Sequence, residues 1–318
     1  MTDPAANDRS AGYVDLQVNG YAGIDFNGSD LTAERLHEAC CRLESDGVAG
    51  ILATVITDQV DRMAARLARL AMLRESDRLA QKIIWGVHIE GPFICDQPGF
   101  VGAHPPTEVC PASPEKMQRL LDAAGGLTRI VTLAPEHDAS LVVTRMLSDK
   151  GICVSAGHCD PSLDQLNAAI DAGLSMFTHL GNGCPSDLPR HDNIIQRALS
   201  RSDRLWISFI ADGVHVPWPA LGNYIKAAGF DRSIVVTDAI SAAGLGPGEF
   251  SLGDSMIMVD EDGATWSADR SHLAGSSATM PQIKTRLQQK LRLTEDEVAQ
   301  LICHNPRRVV STDSASEQ

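Results

Sequence analysis

Cationic charge is scarce in this 318-residue chain: 27 Lys and Arg stand against 41 Asp and Glu, a formal net charge of −14 at pH 7. So acidic a surface repels phosphate backbones and anionic headgroups, which excludes nucleic acid and membrane as principal partners. A small anionic ligand is not excluded, because a local pocket of Arg and His overrides the global field. No apolar run approaches the roughly 20 residues that a membrane-spanning helix needs. The eight cysteines include no C-x-x-C pair, and the opening MTDPAANDRS has neither the basic nor the apolar region of a secretion signal. Reduced thiols in a cytoplasmic protein are therefore expected. Internal repeats, low-complexity blocks and a clear interdomain linker are also missing, so the chain is expected to form a single domain.

What the chain does have is a repeating alternation. Val- and Ile-rich runs occur at 13–19, 48–57, 83–90, 127–135, 152–158, 175–180, 205–212 and 233–239. Near-continuous apolar runs of this length suit parallel strands covered on both faces. Amphipathic stretches such as LTAERLHEACCRLESDG and PSLDQLNAAIDAG separate them. Asp160-Pro161 and Ser113-Pro114 read as helix starts, and Gly173 reads as a helix stop. Strand then helix, eight times over, predicts an α/β chain folded as a (β/α)8 TIM-like barrel, with a doubly wound open sheet as the alternative. The barrel is expected over 12–310, between a disordered N-terminal tail at 1–11 and a polar C-terminal tail at 311–318. Residues 241–275 break the rhythm: Asp262-Gly263 between two short alternating runs predicts a β-hairpin inserted near the active face.

Four polar residues terminate four of the strand-like runs: Glu90, His158, His179 and Asp238. Barrel enzymes build their sites from the carboxyl ends of their strands. Two imidazoles with one carboxylate suit a zinc-type cation and leave a position open for water. A further carboxylate beside such a water can take its proton and pass it to a leaving nitrogen, the role Asp238 suits. On a rim loop, His104 fits a substrate contact, as do Asn182, Gly183, Arg190 and His215. Arg and His with a free backbone N–H suit phosphate. A non-catalytic sensor or structural barrel that keeps the pocket is the reading from another class, and Asp238 beside the ligands argues against it.

The ordered motifs AGYVDLQVNGYAGIDFNG, HIEGPF…GAH, TLAPE, SAGH, THLGNG, ADGVHV, TDA, LAGS and HNP resemble those of the N-acetylglucosamine-6-phosphate deacetylase family of the amidohydrolase superfamily. The resemblance runs from about residue 12 to 306. It implies one divalent metal ion, Zn2+ before Fe2+ or another, held by Glu90, His158 and His179. It implies that Asp238 is the general base and acid and that His104 polarises the amide carbonyl. Asn182, the Gly183 backbone, Arg190 and His215 would hold an amino sugar phosphate, with the arginine reaching across a homodimer interface. Three departures from the family stand out. Gln17-Val18-Asn19 replaces the His-x-His of many amidohydrolases, so a single metal is expected. The small β-sandwich of relatives is expected to be missing or reduced. The loop Gly181-Asn182-Gly183-Cys184-Pro185 differs from the usual Asn-Ala-Met, which leaves deacetylation of a different N-acylated amino sugar or biosynthetic intermediate as the alternative activity.

Overall fold

A strand buried on both faces needs apolar residues at nearly every position, and the eight Val- and Ile-rich runs meet that need. The computed structural model describes residues 12–311. Its main sheet contains β1 (Tyr13–Val18), β2 (Val48–Ile56), β3 (Ile84–Glu90), β4 (Thr128–Leu133), β5 (Cys153–Ala156), β6 (Leu174–Phe177), β7 (Trp206–Ile210) and β8 (Ser233–Val236). The strands pair in sequence order and all pairs are parallel. The chain is thus a TIM-like barrel, not a doubly wound sheet. The tails expected at 1–11 and beyond 311 lie outside the described residues.

β1 and β8 meet without a full ladder. The Asp15 carboxylate bridges their seam by accepting from the Thr237 backbone N–H at 3.2 Å and from the Thr237 hydroxyl at 2.5 Å. A lone parallel bridge between Val18 and Ala239, and the Asn19 N–H donating to Ala239 O at 2.7 Å, complete the closure. The lumen is apolar toward the amino ends of the strands, where Val14, Leu16, Leu52, Ile130, Met176 and Ile234 pack together. Each such side chain contributes about 1.5–3 kcal/mol on burial. The C-terminal helix Asn305–Val310 adds Val309 and Val310 to this plug. Fully buried Asn305 anchors it by donating to Phe230 O and Ser233 O, both at 2.7 Å.

Local signals mostly land where the chemistry requires. Ser113 accepts from the Lys116 N–H to start helix Pro114–Ala123. The helix expected from Asp160 begins later, at Leu163, because Ser162 and Gln165 form a reciprocal capping box. Asp160 instead pairs with Arg197 at 2.8 Å. Where the sequence predicts a hairpin at 241–275, the structure has a three-stranded antiparallel sheet: β9 (Gly248–Leu252), β10 (Ser255–Val259) and β11 (Thr265–Ser267). Asp262-Gly263 links β10 to β11, and a tighter turn at Gly253-Asp254 adds the strand not foreseen. The Gly253 N–H donates to Asp25 at 2.6 Å, tying the insertion to the loop after β1. Among the described residues, no helix is long and apolar enough to cross a membrane.

Candidate active site

The strands end short of the apolar runs that announce them, and the difference shapes the site. Glu90 is the last residue of β3, whereas His158, His179 and Asp238 each fall two residues beyond Ala156, Phe177 and Val236. All three adopt the left-handed backbone region, with φ of 51°, 35° and 53°. A residue with a Cβ is costly there, and such conformations gather at functional sites. The chain turns sharply at each of these residues, and all three side chains face one polar cluster over the lumen.

The buried His179 Nε2 lies 3.0 Å and His158 Nε2 3.3 Å from Glu90 Oε1, and the two imidazole nitrogens are 3.2 Å apart. His104 Nε2 stands 3.2 Å from His158 Nε2 on the other side. His158 Nδ1 donates to Phe100 O at 2.8 Å, so its Nε2 carries a bare lone pair directed into the cluster. Converging nitrogen lone pairs beside a carboxylate repel one another unless a cation lies between them, so the donor set fits a divalent metal. Two triads overlap here. The donor atoms of Glu90, His104 and His158 lie within 4.8 Å of one another. Those of Glu90, His158 and His179 are closer, and both histidines contact the carboxylate directly.

Burial alone would raise the Glu90 pKa, but the His158 and His179 imidazoles against its oxygen hold it well below the usual carboxylate range. Burial and then the neighbouring His158 push His104 down to about 3, so it is neutral. Asp238 faces the cluster and is pushed up to about 7 by burial and then by the charge of Glu90. The His215 Nδ1 bonds Asp212 at 2.6 Å. Burial opposes charge on His215, yet the Asp212 carboxylate outweighs it and raises its pKa.

Residues Gln17 and Asn19 belong to the site more intimately than their departure from His-x-His suggested. The Gln17 amide donates to both Glu90 oxygens at 3.2 Å, and Asn19 Nδ2 donates to Asp238 Oδ1 at 2.7 Å. The pairing of β1 with β2 slips between Asp15 and Val18. That irregularity turns Gln17 and Asn19 into the lumen, although Val14 and Leu16 set the opposite alternation. Strict period-two reading therefore misses them. Two glycines flank His158 just as closely. A Cβ at Gly183 would stand 2.8 Å from His158 Nδ1, and one at Gly102 would stand 2.9 Å from its Cε1. Below the cluster, His88 bonds Leu16 O at 3.1 Å and Thr132 at 2.7 Å, which makes it a support for the strands and not a ligand.

A cavity of about 700 Å³ opens above these groups, lined by Glu90, His104, His158, His179, His215 and Asp238. Asn182 and Gly183 also line it. Trp266, Ser271 and His272, which reach it from the insertion, were not foreseen, because nothing in a short polar segment marks where its loop will fold. Arg190 is exposed and does not line the cavity of its own chain.

A parallel barrel with a carboxylate and imidazoles gathered over its carboxyl ends defines a metal-dependent amidohydrolase. Comparison with known proteins narrows the class. No protein-family model matches the chain. The N-acetylglucosamine-6-phosphate deacetylase of Bacillus subtilis is 31% identical over 304 residues, 95% of this chain and 75% of that protein. The N-acetylgalactosamine-6-phosphate deacetylase of Escherichia coli O157:H7 is 27% identical over 95% of this chain and 78% of its own length. Among solved structures, a mutant N-acetyl-D-glucosamine-6-phosphate deacetylase from Mycobacterium smegmatis, in complex with N-acetyl-D-glucosamine-6-phosphate, superposes with a TM-score of 0.85. It is 30% identical and covers 95% of this chain and 77% of its own. The chain belongs to the N-acetylglucosamine-6-phosphate deacetylase family.

Proposed function

We propose that this protein hydrolyses the N-acetyl group of N-acetylglucosamine 6-phosphate to give glucosamine 6-phosphate and acetate. The observation that carries the reading is the meeting of Glu90, His158 and His179 with Asp238 in one cavity, in a chain of this family. Glu90, His158 and His179 would hold one divalent ion, Zn2+ in preference to Fe2+ or another. A single ion is favoured because the amide nitrogens of Gln17 and Asn19 face the two carboxylates, where a second set of ligands would have to stand. When bound, such an ion acidifies water and polarises a carbonyl oxygen.

Asp238 is placed to take the proton of the attacking water and return it to the amide nitrogen as the C–N bond breaks. Asn19 fixes the carboxylate that does so. Neutral His104 is placed to donate a hydrogen bond to the amide carbonyl oxygen. Asn182, the Gly183 backbone and His215 are assigned to the sugar phosphate, with Asp212 keeping His215 oriented and favouring its charged form. The exposure of Arg190 supports donation of its guanidinium to the cavity of a partner subunit, and hence a homodimer.

Amine release should be followed from N-acetylglucosamine 6-phosphate, N-acetylgalactosamine 6-phosphate and unphosphorylated N-acetylglucosamine, using metal-reconstituted protein. Strong preference for the first is expected. Equal turnover of the phosphorylated and unphosphorylated glucosamine derivatives would overturn the phosphate assignment, and turnover of none would overturn the activity.

A further inference from the structure

A second group of metal-type donors lies outside the catalytic cluster, on the loops after β3 and β4. The Cys95 sulfur, a Glu136 carboxylate oxygen and a His137 ring nitrogen all lie within 4.8 Å of one another. Cys95 is buried, whereas Glu136 and His137 are half-buried, so the group is open to an arriving ion. One Glu136 oxygen accepts the Asp160 backbone N–H at 2.5 Å, while the other is buried with no partner. An unpaired buried carboxylate oxygen is expensive to keep. Burial pushes the Glu136 pKa up to about 7, as expected for a carboxylate without a counter-cation. Arg197 is committed to Asp160 and Asp192.

We propose that Cys95, Glu136 and His137 form a second divalent-cation site of zinc-type chemistry. Thiolate, imidazole and carboxylate together are the donor set that zinc favours, and three protein ligands leave a fourth position for water. On binding, the metal–sulfur bond replaces the S–H bond and the thiol proton passes to buffer. The Cys95 N–H donates to the backbone oxygen of His158 at 2.8 Å. Occupancy would therefore stiffen the backbone of a residue in the catalytic cluster through a single hydrogen bond.

Cobalt separates the two sites, because none of the proposed catalytic ligands Glu90, His158 and His179 carries sulfur. Metal-free full-length protein is titrated with Co2+ while near-ultraviolet thiolate-to-cobalt charge transfer is recorded and bound metal is counted. The expected result is two ions per chain, one of them with the charge-transfer band. Cys95→Ser should bind one ion and lack the band, and Glu136→Gln should weaken the second ion at least about tenfold. Cys159 feels the charges of both Glu136 and Cys95, so Cys159→Ser serves as the control and should keep both the ion and the band. Absence of the band from the unmodified protein, or its survival in Cys95→Ser, would overturn the site.

Discussion

Asp238 combines two properties that a proton carrier needs: a neighbour that fixes one of its oxygens, and burial that lifts its affinity for a proton. Asp238→Asn keeps the shape and removes the basicity. It should lower turnover by about 10²–10⁴-fold while bound metal, counted per chain, stays the same; loss of metal along with activity would point to a ligand role instead. Gly183→Ala tests the other side of the cluster. Its Cβ would press on His158 Nδ1 from a backbone at φ 59°, against the bond to Phe100 O. Metal affinity, measured by competition with a chelator, should fall about 10–100-fold. The four strand-end residues were legible because a polar side chain closing an apolar run has little reason to be there unless something binds it. Gln17 and Asn19 were legible only as missing histidines, since the slip in β1 that turns them inward leaves no mark on hydrophobic periodicity.

At the scale of elements, the barrel seam carries an electrostatic cost. Burial pushes the Asp15 carboxyl up to about 7, against the hydrogen bonds from Thr237 and Gln17. The folded state thus holds a proton that the unfolded chain gives up near pH 4, and stability contributed by protonated Asp15 declines as pH rises from about 4 to about 7. Asp15→Asn keeps an acceptor for Thr237 and cannot ionise. Its thermal midpoint, relative to the unmodified protein, should improve steadily across that range and level off above it; a constant difference would mean that Asp15 does not titrate there. The eight strands could be read because burial on both faces writes them as unbroken apolar runs. Their ends could not, because His158, His179 and Asp238 leave the strand by a backbone turn that their side chains do not advertise. The third strand of the insertion was hidden for a related reason: Gly253-Asp254 turns the chain within a short stretch whose strands are only partly buried.

For the molecule as a whole, no arginine among the described residues lines the cavity. Arg190→Ala should raise KM for the phosphorylated sugar about 10–100-fold, the loss of one charge-assisted bond, and leave the unphosphorylated sugar unaffected. Sedimentation should show a dimer, and mixing Arg190→Ala with Asp238→Asn chains should restore part of the activity if the guanidinium is supplied in trans. Divalent metal should act on the whole fold as well. Because the proposed ligands stand at the ends of three different strands, zinc at about 100 times its Kd should add about 2.7 kcal/mol to unfolding stability over the chelated protein, seen as a rise in thermal midpoint. The left-handed turns at 158, 179 and 238 have a consequence for engineering. Glycine is at ease in that conformation, and a residue bearing a Cβ gives up about 1 kcal/mol to adopt it. At Asp238, which is not among the proposed metal ligands, heat resistance and turnover pull in opposite directions, so a library selected on temperature alone would favour glycine there and collect robust barrels that no longer cleave anything.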